Sequence, residues 1–242
     1  MTRLILAALT LLVLATGVRA QDAEPATEVY VAYYKVSYAD LPQWIADYHE
    51  FSTPILQNLV DDGAIVGFGA FMHHTGGEYN IRQAIRGNED TDFDAFWDAY
   101  LGRLAENAEA TERGGRMIQA HVDEIWEIQE INVPDGAPAQ YFYDAHFQLS
   151  FADMEEWNRL WDATVKPVLE QAVADGTIAG WVEEGHNTGG RFNWKIITLY
   201  NEWDNIDETI ASFYEAIPPD HALWGMIMGH NDIIWETIPP PE

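Results

Sequence analysis

Imidazole and carboxylate stand two residues apart twice in this chain, as His121-Val-Asp123 and as His230-Asn-Asp232. On a strand that spacing puts both groups on one face, where they suit a divalent metal, an oriented base, or a His–Asp hydrogen bond supporting the strand end. A second set, Tyr33, Arg82, Arg86 and His146, suits acid–base work on an anion. Two guanidiniums hold a carboxylate or enolate, and an imidazole or phenol carries the proton. Asp123, Lys35, Asp144, Gln148 and Lys195 complete the candidate polar positions. The competing reading is an internal salt-bridge network through Asp123, Glu127, Asp144 and Asp232. No HExxH, CxxC, GxSxG, GxGxxG or P-loop pattern is present, so no motif selects a reaction.

The elements that position these residues come in pairs. His73-His74-Thr75-Gly76-Gly77-Glu78-Tyr79-Asn80 recurs 113 positions later as His186-Asn187-Thr188-Gly189-Gly190-Arg191-Phe192-Asn193. Ser37 to Asp40, Trp44, Pro54 and Asp62-Gly63 find their counterparts at the same offset. Either the Thr-Gly-Gly stretch is a tight hairpin needing glycine at positive φ, or its histidines form a ligand site. Each copy then reads strand, helix, strand, strand, helix, strand. Val29 to Val36 alternates as a strand, and Asp40 and Pro42 open a helix that Pro54 kinks or restarts. Ile65 to Met72 and Tyr79 to Ile85 form the hairpin, a helix starts near Asp92, residues 111–120 read as a loop, and His121 to Gln129 closes the unit. The units span 29–132 and 140–238, with a linker at 133–139 and a tail at 239–242.

That order is the ferredoxin-like βαββαβ unit, an α+β fold whose open sheet face needs covering. Two units packed sheet to sheet make an eight-stranded barrel within one chain. In this duplication the sequence resembles the dimeric α+β barrel superfamily in single-chain form. The resemblance implies a small-molecule pocket and a cofactor-independent oxygenase, isomerase or lyase. Chlorite dismutases within the superfamily imply a haem alternative, and no residue role carries over because no motif matches.

Alternation places Val31, Tyr33 and Lys35 with Asp144, His146 and Gln148 on the inward face, together with Arg82, Arg86 and Lys195. The same reasoning expects His121, Asp123, His230 and Asp232 to face inward and Trp126 and Trp235 outward. His73, His74 and His186 are expected at one rim, His73 near His230 and His186 near His121.

Composition bounds the setting. Arg3, the apolar run Leu4–Thr16 and Val18-Arg19-Ala20 read as a signal peptide over 1–20, with a polar leader at 21–28, so a periplasmic or extracellular protein is expected. The chain has no cysteine, which excludes disulfides, thiolate metal sites and a lipid-modified N-terminal cysteine. Without Arg3 and Arg19 the net charge is about −30, which disfavours nucleic acid and anionic membranes and leaves solubility or an acidic docking face as readings. A small molecule is the expected partner and no cofactor is favoured. A non-catalytic binding or structural protein with a salt-bridged interior is the alternative, and a haem or metal protein the second alternative.

Overall fold

A computed structural model describes residues 25–134, 136–137 and 139–238. The expected signal peptide, the first half of the leader (21–24) and the tail lie outside the described residues. The first unit comprises β1 (Glu28–Val36), α1 (Leu41–Asp47), a π-helical turn (Tyr48–Ser52), α2 (Thr53–Asp61), β2 (Gly67–Thr75), β3 (Ile81–Gly87), α3 (Phe93–Leu104), α4 (Ala108–Met117) and β4 (Ile118–Asn132). The second repeats the plan: β5 (Tyr141–Leu149), α5 (Met154–Thr164), α6 (Lys166–Asp175), β6 (Gly180–Thr188), β7 (Trp194–Tyr200), α7 (Asp204–Ala216), α8 (Ala222–Met226) and β8 (Ile227–Thr237).

The eight strands close on themselves in the order β1-β3-β2-β8-β5-β7-β6-β4, every described pairing antiparallel. The two seams join the halves, β2 to β8 and β4 to β6, so neither half keeps a free sheet edge. Helices cover the outside. In the first half Trp44, Tyr48, Leu56, Phe96 and Tyr100 fill the space between helices and sheet, and in the second Trp157, Trp161, Leu169, Trp181 and Trp194 do so. A third apolar cluster, including Val29, Val31, Tyr33, Trp126, Ile233 and Trp235, fills part of the barrel itself.

Local chemistry differs from the sequence reading at two places. Asp40 occupies the cap position of α1 but its side chain accepts no capping hydrogen bond, whereas Asp92 does cap α3 through Ala95 N at 2.9 Å. Residues 111–120, expected as a loop, lie largely in α4. Asn107 caps that helix through Ala110 N, Arg113–Glu109 and Arg116–Glu112 pair one turn apart, and Ala110 and Met117 are buried. These gains outweigh the helix-weakening Gly114-Gly115.

The Thr-Gly-Gly stretches are hairpin turns. Gly76, Gly77, Gly189 and Gly190 all sit at positive φ, between 62° and 91°. The imidazole Nε2 of His73 meets the Gly76 carbonyl, and that of His186 the Gly189 carbonyl, so each histidine closes its own turn. Each turn also lies against the last strand of the other half, Gly76 beside the Asp232 carbonyl and Gly189 beside the Asp123 carbonyl. Asn80 and Asn193 add a matching clamp, each bonding backbone N–H and C=O at the end of its first strand, on Val36 and Leu149. One end of the barrel is thereby sealed twice over.

Candidate functional site

Directly opposed residues in an antiparallel pair share a face, so the registers identify the barrel lining. Tyr33 opposes Arg82, His146 opposes Lys195, and Lys195 opposes Glu184. Together with Asp144 these side chains form a buried polar floor. The Asp144 carboxylate lies 2.8 Å from His146 Nε2 and 3.8 Å from Arg82 Nε. Lys195 Nζ lies 2.7 Å from Glu184 Oε2 and 4.2 Å from the centre of the Trp126 ring. Burial pushes the Asp144 carboxyl up, but His146, Lys195 and Arg82 outweigh it and hold the group well below the usual carboxylate range. Burial drives the Tyr33 phenol well above its ordinary value, and the Asp144 charge drives it further, so Tyr33 is a neutral donor at physiological pH.

Above the floor the barrel is open. A cavity of about 1060 Å³ runs from Arg82, Phe71 and Glu184 past Gly69, Ala84, Val182 and Ile197 to Arg86, Val29, Phe142 and Leu199. It continues over the rim past Ile238 to Tyr48, His49 and Thr53. The wall is apolar apart from three charged side chains, and these differ. Arg82 and Glu184 have partners of opposite charge, whereas Arg86 forms no ion pair or hydrogen bond among the described residues. By accessible surface the Arg86 side chain is exposed at the mouth, and the protein packed around its guanidinium still pushes its pKa down. Its place on the wall depends on Gly67, the residue opposite on β2. A methyl group there would stand 2.5 Å from Nη2, so the glycine lets the guanidinium lie flat on the strand. Gly69 does the same for the Phe71 ring, which a methyl group at 69 would meet at 2.9 Å.

No protein-family model matches the sequence, and no curated protein matches it. Solved structures do. A protein provisionally described as a monooxygenase from Lactobacillus acidophilus NCFM shares 13% identity over 89% of this chain and 95% of its own, with a TM-score of 0.59. A mutant chlorite dismutase from Candidatus Nitrospira defluvii shares 9% over 90% and 93%, at 0.60, and a haem-binding protein from Thermus thermophilus shares 9% over 88% and 91%, at 0.52. The chain has the dimeric α+β barrel fold. At such identities the likeness is one of fold, and the site rests on this chain's own residues.

The haem named for one of these structures finds no matching donor set inside this dimeric α+β barrel. His146 is engaged by Asp144 in the floor and does not line the cavity. His49, the cavity's one imidazole among the described residues, lies at the outer rim with its ring edge-on to Tyr48. The spaces between sheet and helices are filled by the two aromatic cores. The residues present do not fit a haem with an axial ligand in the barrel.

Of the candidates read from sequence, the barrel brings together Tyr33, Arg82, Asp144, His146 and Lys195, with Arg86 four residues along β3 at the mouth. Lys35 and Gln148 fall at the sealed end, Lys35 beside a small cleft and Gln148 against Gly229. The last strands present the face opposite to that expected. Asp123 opposes Ala32, His121 opposes Tyr34, Asp232 opposes Ala145 and His230 opposes Phe147, all on the helix side. Trp126 and Trp235 turn inward instead, because the closed barrel needs large fillers. His121 and Asp123, 3.3 Å apart, therefore stand outside the barrel, as do His230 and Asp232 at 2.9 Å. The two pairs lie on non-adjacent strands, and no group of three potential metal ligands forms among the described residues. Nor does His73 meet His230: its ring is 6.1 Å from Trp235, and the His186 ring is 5.8 Å from Trp126. His74 packs on Trp203 and lies 3.5 Å from Glu236.

Sequence reasoning missed Glu184, Gly67 and Gly69. The signal was available in the repeat, since Glu184 stands 113 positions after Phe71 and shares the parity of His73 and His186.

Proposed function

We propose that this protein is an exported small-molecule carrier or enzyme that holds an amphipathic anion in the open end of its barrel. Arg86 carries the reading. A water-accessible cation that has no partner among the described residues and stands at the edge of an apolar cavity is the arrangement that an anionic group on an apolar body satisfies. Ion pairing in a partly dehydrated site is stronger than in water, so the carboxylate or enolate takes Arg86 while the body displaces water from Val29, Phe142, Val182, Ile197 and Leu199. Similar folds named as monooxygenase, chlorite dismutase and haem-binding protein support a small-molecule or enzymatic role in general terms.

The binding reading leads the catalytic one, because Tyr33 and His146 lie in the floor beneath the cavity lining. The test replaces Arg86 by its own repeat counterpart, Leu199. Titrating wild-type protein and Arg86→Leu with aromatic and aliphatic monocarboxylates, followed by tryptophan fluorescence and calorimetry, should show binding that the substitution weakens at least ~30-fold, consistent with loss of a charge-assisted pair. Carboxylates that bind both proteins equally, or neither, would sink the reading.

A further inference from the structure

The geometry points to the chemical class of the occupant: a flat monoanion bearing a neutral hydrogen-bond donor at its far end, such as an aryl carboxylate with a distal hydroxyl. This rests on the anion site at Arg86 and adds a second contact, to Glu184. Three observations define it.

The first is charge. Asp144 and Glu184 are faced by Arg82 and Lys195, the buried Glu124 is held by the Trp126 indole N–H, and Arg86 is the charged lining group at the mouth without a partner among the described residues. A single negative charge at the mouth therefore gives Arg86 its partner, and three carboxylates, Asp144, Glu184 and Glu124, leave no place for a second one deeper in. A second anion at the floor would meet Asp144 and Glu184, and a cation there would compete with Lys195, which is fully buried against Glu184. The distal group must be uncharged.

The second is hydrogen bonding. Lys195 takes Glu184 Oε2, and no donor among the described residues is placed on the other oxygen, although Glu184 lines the cavity. A carboxylate oxygen at the edge of a ligand space is an acceptor waiting for a donor, and Arg82, the other polar group at that depth, can only donate. The ligand group that fits Glu184 is an O–H or N–H, not an ether or a carbonyl.

The third is shape. Glu184 opposes Lys195, and four residues back along β6 Gly180 opposes Leu199, the counterpart of Arg86. Mouth and floor are thus separated by about 13 Å of tilted strand, less the reach of the two side chains. One ring with a short carboxylate arm spans that distance. The layer between mouth and floor has room for it beside Ala84, which stands where the second half has Ile197, while the Phe71 ring takes the space over Gly69 and offers the ligand ring an aromatic wall.

The experiment is a ligand series on the intact protein by calorimetry: 3-phenylpropanoate, its 4-hydroxy, 4-methoxy and 4-aminomethyl derivatives, and 3-(4-hydroxyphenyl)propanamide. The 4-hydroxy acid should bind at least ~10-fold tighter than the unsubstituted acid, with no such gain for the methoxy or aminomethyl acid and at least ~30-fold weaker binding for the amide. The paired variant Glu184→Leu/Lys195→Met removes acceptor and cation together and strands neither charge. It should keep the affinity for 3-phenylpropanoate and lose the hydroxyl gain. Equal binding of hydroxylated and unsubstituted acids, or an equal gain from methoxy, overturns the floor contact and leaves the anion site standing. Failure of every carboxylate to bind overturns both.

Discussion

The two halves of the barrel lining occupy the same positions with different chemistry. At the mouth Arg86 answers to Leu199, in the middle Gly69 and Ala84 answer to Val182 and Ile197, and at the floor Phe71, Arg82 and Tyr33 answer to Glu184, Lys195 and His146. In the second half the charges are satisfied internally, Lys195 by Glu184 and His146 by Asp144. The first half supplies the space and the unpaired cation. Duplication supplied a closed scaffold, and divergence made one side of the interior structural and the other receptive.

The sharpest way to break that contrast is to make the same kind of change on both sides. Lys195→Met leaves Glu184 as an unpaired buried carboxylate and removes a cation from the face of Trp126, so it should lower unfolding free energy by about 3–5 kcal/mol. Arg86→Leu removes a cation that has no partner among the described residues and should change stability by less than about 1 kcal/mol in either direction. Urea denaturation with unchanged m-values reads both. Equal losses would mean that Arg86 is structural after all.

Where the halves agree, equivalent substitutions should agree. Gly76→Ala and Gly189→Ala each place a side chain at positive φ, at 84° and 91°, and against a backbone carbonyl of the opposite half. Each should cost about 2–3 kcal/mol, measured as a matched drop in denaturation midpoint. A much smaller loss on one side would show that only one hairpin fastens the barrel end.

One acid of the second half has no acidic counterpart in the first, where Ala70 takes its place. Glu183 sits on the helix side of β6, opposite Glu130 and bonded by Trp194 Nε1 at 3.2 Å. Burial pushes its carboxyl up to about 7, Trp194 pulls it back, and Asp162 and Glu130 add to the rise while Lys166 opposes it. Between the unfolded value near 4.5 and about 7 the folded chain keeps a proton that the unfolded chain releases. Stability from this group is therefore full below that window and falls as pH rises through it, by about 2 kcal/mol after allowing for partial solvent access. Comparing wild-type protein with Glu183→Gln at pH 5 and pH 8 isolates it from the acidic surface, which titrates in both. A wild-type decline between the two pH values no larger than that of the variant would contradict the assignment.

Much of this was legible in the chain. Offsets of 113 fix the duplicated βαββαβ plan, and strand alternation identifies Tyr33, Arg82, Arg86, Asp144, His146 and Lys195 as interior, because a period of two survives wherever one face is buried. The last strands defeat the same reasoning because polarity is a poor guide to the inside of a barrel. His121 and Asp123 pack beside Tyr34 and Tyr30 on the helix side, while Trp126 and Trp235 supply interior volume. Pairing register, not residue type, decides the face, and register depends on partners distant in sequence. For the same reason the importance of Gly67 could not be read locally. Its role exists only because Arg86 lies opposite.

Gly67 also gives the smallest and most selective test of the contrast between the halves. Its counterpart Gly180 faces backbone, a methyl group there standing 2.7 Å from the Asn132 carbonyl, whereas at Gly67 the nearest atom is the far end of a flexible side chain. Gly67→Ala should therefore fold with stability within about 1 kcal/mol of wild type, since relief of glycine entropy offsets a small displacement. The displaced group is the Arg86 guanidinium, moved off the wall and out of position for a carboxylate, so monocarboxylate affinity should fall by roughly 3- to 10-fold, a loss of about 1 kcal/mol. Gly180→Ala should do the reverse, losing stability through its collision with backbone. If both alanines act on stability alone, the glycine at 67 belongs to the barrel's construction and not to its receptive side.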